Sequence, residues 1–345
     1  MTEKPILRVL AGEALWPPPI WLMRQAGRYL PEYRAARAEA ADLLAAFTTP
    51  DLATEITLQP IRRYGMDAAI LYSDILILPW ALGHGLRFEE GVGPVLPRLD
   101  GPAGVAALDR AGFADRVAPV LQTVRQTAAA LRRDHPTTTL IGFAGAPFTV
   151  ACYMIEGGGS REHAEVRRLA YGDPALFAAL MDVLIETTID YLVWQAEAGA
   201  EVLMLFDSWA GVLPPPLFAV HVTAAAARIA AALRRRAPGV RLIGFPRLAG
   251  SLLASYAGTA GLDAVGMDTA TDPTWAASAV PPSVALQGNL DPIAVVAGGE
   301  AMRAGALAVR DALRGRPHIF NLGHGIVPQT PPAHVGALVD LVRAV

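Results

Sequence analysis

Short runs of consecutive apolar residues recur along the chain, and each stops abruptly at a polar or glycine-containing stretch. In order they are Pro19–Met23, Asp67–Tyr72, Thr139–Ala144, Glu201–Phe206, Arg241–Phe245, Asp263–Met267, Val284–Gln287 and His318–Leu322. The runs are nearly continuous rather than alternating, the pattern of parallel strands buried on both faces. Ala- and Leu-rich stretches between them predict helices, most clearly over Val117–Arg133 and Pro174–Gly199. The second of these starts behind Asp173-Pro174, a cap residue followed by proline at the first helical position. Strand–helix alternation repeated eight times predicts an α/β chain folded as a (β/α)8 TIM barrel; a doubly wound open sheet is the alternative arrangement of the same elements. The interval from Tyr72 to Thr139 is too long for one helix and predicts an insertion around Gly91–Pro102. No linker or low-complexity stretch divides residues 1–345, so one domain is expected.

Barrel enzymes place their chemistry at the C-terminal ends of the strands. The residues that follow the runs are Arg24 and Arg28; Ser73 and Asp74; Gly145, Pro147 and Tyr153; Asp207 and Ser208; Pro246 and Arg247; Asp268; Gly288, Asn289 and Asp291; Gly323 and His324. Polar residues collect at strand ends in any barrel. The combination of two arginines, an isolated acid, a tyrosine, a serine and a histidine is more specific, and it suits an anionic substrate and proton transfer.

Composition narrows the chemistry. The 345 residues are 53% hydrophobic, ample for a large core, and the net charge of −3 lacks the basic signature of nucleic-acid binding. No leader pattern opens the chain, and apolar stretches such as Asp67–Pro79 fall short of a membrane span, so a soluble, cytoplasmic protein is expected. Cys152 is the only cysteine, which leaves no internal disulfide and no cysteine cluster for zinc or iron–sulfur. Lys4 is the only lysine among 29 basic residues and lies next to the amino terminus. Schiff-base and pyridoxal-phosphate chemistry, which need a lysine in the site, are therefore disfavoured. The stretch Gly142-Phe-Ala-Gly145 lacks the Gly-Lys-Ser/Thr ending of a phosphate loop. It reads as close packing, and Gly157-Gly-Gly159 reads as a loop over the site.

Three segments carry a resemblance to a known family: Pro19-Ile-Trp-Leu-Met-Arg-Gln-Ala-Gly-Arg-Tyr-Leu-Pro-Glu-Tyr-Arg34, Ile141-Gly-Phe-Ala-Gly-Ala-Pro-Phe-Thr-Val-Ala-Cys-Tyr-Met-Ile-Glu-Gly157, and Phe320-Asn-Leu-Gly-His-Gly-Ile326. Shorter matches are Tyr72-Ser-Asp-Ile-Leu76, Phe206-Asp-Ser208 and Leu286-Gln-Gly-Asn-Leu-Asp-Pro292. Together and in order, they resemble the uroporphyrinogen decarboxylase family over nearly the whole chain. Three positions depart from its pattern: Thr269 where many relatives have an aromatic, Arg247 where many have lysine, and Phe47-Thr-Thr-Pro50 in place of Cys-Thr-Pro.

The resemblance implies a single distorted (β/α)8 barrel, a homodimer, and no metal or organic cofactor. It implies loss of four acetate carboxyls from uroporphyrinogen III to give coproporphyrinogen III. It places Arg24, Arg28 and Arg37 on substrate carboxylates, Asp74 under the pyrrole N–H groups, and Tyr153, Ser208 and His324 as polar contacts. Arginine forks match carboxylates better than lysine does, and Arg24 and Arg28 share a face if their segment is helical. The glycines beside His324 let the backbone approach a ligand. The proton donor stays open between Arg28, a water and an arginine-held substrate carboxyl. Two other readings compete. Corrinoid and thiol methyltransferases share this superfamily but bind zinc through a His-x-Cys pair and a distant cysteine, which this sequence lacks. A non-catalytic tetrapyrrole carrier is the second.

Overall fold

The computed structural model describes residues 4–344. Its strands are β1 (Ala68–Ile70), β2 (Arg87–Glu89), β3 (Gly93–Val95), β4 (Thr139–Gly145), β5 (Val202–Asp207), β6 (Arg241–Pro246), β7 (Ala264–Gly266), β8 (Ala285–Gln287) and β9 (His318–Ile319). All except β2 and β3 form one parallel sheet in the order β1-β4-β5-β6-β7-β8-β9. The sheet curls, and the Pro19–Met23 segment joins its two edges. Ile20 bridges Phe320 in parallel, and the Ile20 carbonyl accepts the Asp67 N–H at 2.9 Å. The architecture is the expected TIM-type barrel. Its first predicted strand, however, is reduced to one bridge, because this segment turns away after Met23.

Acids at the start of the runs fasten the lower rim. Asp67 Oδ2 accepts the Ile20 N–H at 2.8 Å, Glu201 Oε2 the Leu140 N–H at 3.1 Å, and Asp263 Oδ2 the Leu242 N–H at 2.8 Å. In each case the acid preceding one strand takes up an N–H at the start of its neighbour, a charge-assisted bond. Lys4 belongs to this rim: its Nζ lies 2.6 Å from Glu201 Oε2 and donates to the Thr138 carbonyl at 2.8 Å. It is at the opposite end of the barrel from the expected chemistry.

The helices follow the sequence pattern. Val117–Arg133 lies within helix Phe113–Asp134, and Pro174–Gly199 is helix Pro174–Ala198 with its C-cap Gly199. Asp173 caps that helix by accepting the Leu176 N–H at 3.0 Å. Gln195 of the same helix is fully buried; its side chain accepts the Phe143 N–H and donates to the Phe143 carbonyl, both at 2.9 Å. A Cβ on Gly142 would overlap this amide, so Gly142 faces the helix and Phe143 faces the barrel interior. Gly244 likewise faces Tyr256 and Leu262, which turns Phe245 inward.

The expected insertion is the β2–β3 hairpin followed by helix Gly101–Ala106. It holds the Gly157-Gly-Gly159 loop by a Val95–Gly158 bridge and a Leu96 N–H to the Gly157 carbonyl at 3.1 Å. The sequence reading expected no membrane-length apolar stretch, yet the helical run Pro215–Arg236 is long and apolar enough by length and composition. Half of that window is buried inside the protein, with Phe218, Val222, Ile229 and Leu233 packed in the core. It is a core helix.

Candidate functional site

The C-terminal rim gathers most of the residues singled out from the sequence. Arg24 sits just beyond the closing bridge with φ +59°, a left-handed conformation that costs a side-chain-bearing residue about 1–2 kcal/mol. Surrounding hydrogen bonds hold it there. Asn321 Oδ1 accepts the Met23 N–H at 2.9 Å, and the Met23 carbonyl accepts the Ile326 N–H at 2.9 Å. Gln25, fully buried, accepts the Leu22 N–H at 3.1 Å and donates to the Ala68 carbonyl at 2.9 Å. The Arg24 turn is thereby tied to β1 on one side and to the His324 loop on the other.

The two glycines flanking His324 serve this packing. A Cβ on Gly325 would overlap the Arg24 side chain, and one on Gly323 would overlap the Thr269 backbone. The sequence reading gave these glycines to close approach by a ligand; they are needed for close approach by the protein itself. The segment between Arg24 and Arg28 consists of consecutive turns rather than a helix, so the shared helical face expected for the pair does not form. Both arginines are exposed. Among the described residues, Arg24, Arg28, Arg37 and Arg247 make no ion pair with a carboxylate of the chain, whereas Arg62, Arg63, Arg228, Arg236 and Arg241 do.

Asp74 ends the second run, half-buried, with Oδ1 accepting the Leu76 N–H at 2.8 Å. Burial pushes its carboxyl above the usual range; the Leu76 N–H and the Arg24 guanidinium pull it back. Tyr153, on helix Pro147–Glu156, is reached by the fields of both Asp74 and Arg24. Burial pushes its phenol up, a contact from Trp209 opposes this, and Asp74 adds to the rise. His324 is held down to about 4 by burial first and then by Arg24 and Arg247, so its imidazole is neutral near pH 7. Arg24, Asp74, Tyr153 and His324 thus form one electrostatic cluster. Arg37 joins its edge: its guanidinium donates to the Ala40 carbonyl at 2.9 Å and acts on Tyr72, whose phenol also feels Asp74. Ser208 follows β5 on the same rim, half-buried. Arg28 is exposed and, among the described residues, makes no side-chain hydrogen bond or ion pair.

Several contributors escaped the sequence reading. Phe143, Phe206 and Phe245 point into the barrel from β4, β5 and β6. Their rings meet edge to face at 5.3 Å and 6.2 Å, and only Phe206 is more than slightly exposed. They form an apolar floor beneath the polar rim. The signal was present: Ile-Gly-Phe occurs at 141–143 and again at 243–245, with glycine turned to the helices. Tyr191 is buried on its helix; burial pushes its phenol up, Ser73 opposes the rise and Asp74 adds to it. Arg247, Thr269 and His324 line a cleft of about 190 Å³. Whole-ligand pockets run to roughly 300–1,000 Å³, so this cleft is sized for one arm of a larger ligand. Asp268, also on this edge, is committed to structure: it accepts the Leu248, Ala270 and Thr271 donors.

Among the described residues, no group of three or more His, Cys, Asp or Glu side chains is placed to hold a metal ion. The rim offers cationic forks, a carboxylate, a neutral imidazole and phenols above an apolar floor. Those groups are chemically suited to a polycarboxylate with an apolar, N–H-bearing body and to positive charge developing in that body.

Comparison with known proteins gives the chain its family. The model of the family "Uroporphyrinogen decarboxylase (URO-D)" matches residues 1–345. A protein named uroporphyrinogen decarboxylase from Granulibacter bethesdensis is 61% identical over 99% of this chain and all of its own length. Another of that name from Acidiphilium cryptum is 59% identical over 99% of this chain and 94% of its own. Among solved structures, a methyltransferase from Methanosarcina mazei superposes with a TM-score of 0.79 at 20% identity, covering 99% of this chain and 98% of that one. At that identity the likeness concerns the fold alone. The chain belongs to the uroporphyrinogen decarboxylase family.

Proposed function

We propose that this family member converts uroporphyrinogen III to coproporphyrinogen III, removing the four acetate carboxyl groups as CO2 and leaving methyl groups. The observation that carries the reading is the cluster of Asp74, Arg24, Tyr153 and His324 over the phenylalanine floor, in a chain matched by the family along its whole length.

An acetate on a pyrrole loses CO2 poorly, because the electrons left behind have no acceptor. Protonating the ring carbon next to the one that bears the acetate creates an iminium-like cation conjugated with the acetate-bearing carbon, which takes up those electrons as CO2 departs; protonation of the resulting exocyclic methylene and loss of the first proton from the ring yield the methyl group. The protein has to stabilise that cation beside carboxylates it also binds. Asp74 suits this task. Its carboxylate is disfavoured by burial and gains most when positive charge appears next to it. The Asp74 oxygens accept the pyrrole N–H groups. Arg24, Arg28 and Arg37 take substrate carboxylates. Neutral His324 and the phenol of Tyr153 donate hydrogen bonds without adding charge, and Ser208 does the same from the end of β5. The proton comes from Arg28, from a water, or from an arginine-held substrate carboxyl.

The same reading takes residues 1–345 as one domain, cytoplasmic and homodimeric. The test is anaerobic incubation of metal-stripped protein with chemically reduced uroporphyrin III, followed by oxidation and chromatography. Products with seven down to four carboxyls are expected. Folded protein that binds the substrate but leaves all eight carboxyls in place would make it a carrier. Activity restored only by zinc or a corrinoid would move it to the methyltransferase branch.

A further inference from the structure

Asp207 takes no part in the chemistry above, yet it lies at the end of β5, next to Ser208, with 3% of its surface exposed. Its Oδ1 accepts the Thr149 hydroxyl at 2.6 Å, and the Thr149 oxygen in turn accepts the Trp209 N–H at 3.0 Å. Thr149 stands on helix Pro147–Glu156 one turn before Tyr153, so the two share a face. The Tyr153 and Trp209 rings lie 6.2 Å apart, and Trp209 packs against His163 at 4.6 Å. The Asp207 carbonyl accepts the Arg247 N–H at 3.0 Å. One buried residue therefore joins three separate pieces of the rim: its carboxyl, through Thr149, ties the helix that carries Tyr153 to the turn that carries Ser208, and its backbone carbonyl holds the loop that carries Arg247.

We propose that Asp207 is a positioning residue for the decarboxylation: through the Thr149 hydroxyl and the Trp209 amide it sets Tyr153 against Ser208, and so fixes where a substrate carboxylate is held. The inference rests on the functional reading above. A purely packing role would be met by an apolar residue, without the desolvation cost of a buried acid. Burial, opposed by Thr149, pushes Asp207 up to about 7. The other titratable groups facing it are the Cys152 thiol and the Tyr256 phenol, both raised by burial and neutral at that pH. The contact with Thr149 is consequently charge-assisted on the alkaline side and an ordinary hydrogen bond on the acid side.

The experiment compares KM against pH for the wild type, Thr149→Val, Thr149→Ser and Asp207→Asn. Loss of a hydrogen bond to an ionised group predicts a KM about tenfold higher in Thr149→Val, with a smaller change in kcat. Thr149→Ser restores the wild-type value. In the wild type KM rises as pH falls through about 7. In Asp207→Asn, whose amide oxygen still accepts from Thr149 but does not ionise, KM is flat across that window. Wild-type KM and pH profile in both Thr149→Val and Asp207→Asn would overturn the proposal, and so would a defect in Thr149→Val that Thr149→Ser does not correct. Affinity for oxidised uroporphyrin III, read by quenching of tryptophan fluorescence, needs no turnover. If the wild type releases no CO2 the functional reading fails, and the positioning role then stands or falls on whether Thr149→Val weakens that affinity about tenfold.

Discussion

Replacing Arg24 with glycine separates what its backbone costs from what its side chain does. At φ +59° the arginine is in a conformation that costs about 1–2 kcal/mol for a residue with a Cβ and nothing extra for glycine. Glycine gives back about 0.5–1 kcal/mol through the greater freedom of the unfolded chain. The hydrogen bonds that hold the turn come from Met23, Gln25, Asn321 and Ile326, none from the Arg24 side chain, so they survive the change. The two terms nearly cancel. Stability should stay within about 1 kcal/mol of wild type, a shift in Tm no larger than about 2–4 °C. Arg24→Ala removes the same guanidinium but keeps the strain, and it should melt below Arg24→Gly. Activity should fall alike in both. A hydrogen bond to a charged group is worth about 1.5–3 kcal/mol, which corresponds to roughly a tenfold to hundredfold loss in kcat/KM. Thermal unfolding and the anaerobic decarboxylation assay measure the two effects separately. If Arg24→Gly kept kcat/KM within about twofold of wild type, Arg24 would leave the site. If it melted well below Arg24→Ala, the account of the strained turn would be wrong.

Asp74→Asn should still bind uroporphyrin but lower kcat by about 10²–10³, the usual cost of removing one preorganised electrostatic partner; near-normal kcat would remove its role as counter-charge. Gly325→Ala should raise KM by displacing the Arg24 side chain, since misplacement by about 1 Å can cost up to 10²-fold; unchanged kinetics would show that Arg24 reaches the substrate from another direction. His324 adds a pH dependence to stability. Its folded value of about 4 lies below the ordinary 6.5, so the unfolded chain takes the proton first as pH falls. The stability tied to the neutral imidazole is complete above pH 6.5 and is lost as pH falls toward 4. Asp207, raised to about 7, works the other way: its contribution weakens as pH rises toward that value. The Asp207 contribution is common to both proteins, so between about pH 7 and 5 the Tm of wild type should decline relative to that of His324→Gln, and parallel curves would contradict the buried, neutral assignment.

Much of this architecture is written in local pattern. Apolar runs too long to alternate, each followed by a helical stretch, fix a parallel sheet with both faces covered, and the polar residue after each run marks the rim. Asp173-Pro174 shows where its helix starts because capping is a matter of neighbouring residues. The single lysine disfavours amine chemistry by composition, and in the structure Lys4 pairs with Glu201 on the lower rim. What the sequence left undecided depends on contacts between distant segments. Whether Pro19–Met23 forms a full strand depends on how far Phe320 and Asp67 can accompany it, and the outcome is one bridge. Arg24 reads as an ordinary arginine until Asn321 and Gln25 are seen to lock it in a left-handed turn. Asp207 and Ser208 are adjacent and equally polar on the page. Only the packing of helix Pro147–Glu156 across β5 buries the first and leaves the second half-open at the rim. Sequence fixes which groups are available and on which element each rides. Burial, and with it protonation and hydrogen-bond partnership, comes from segments as distant in the chain as Met23 and Asn321, and only the closed barrel brings them together.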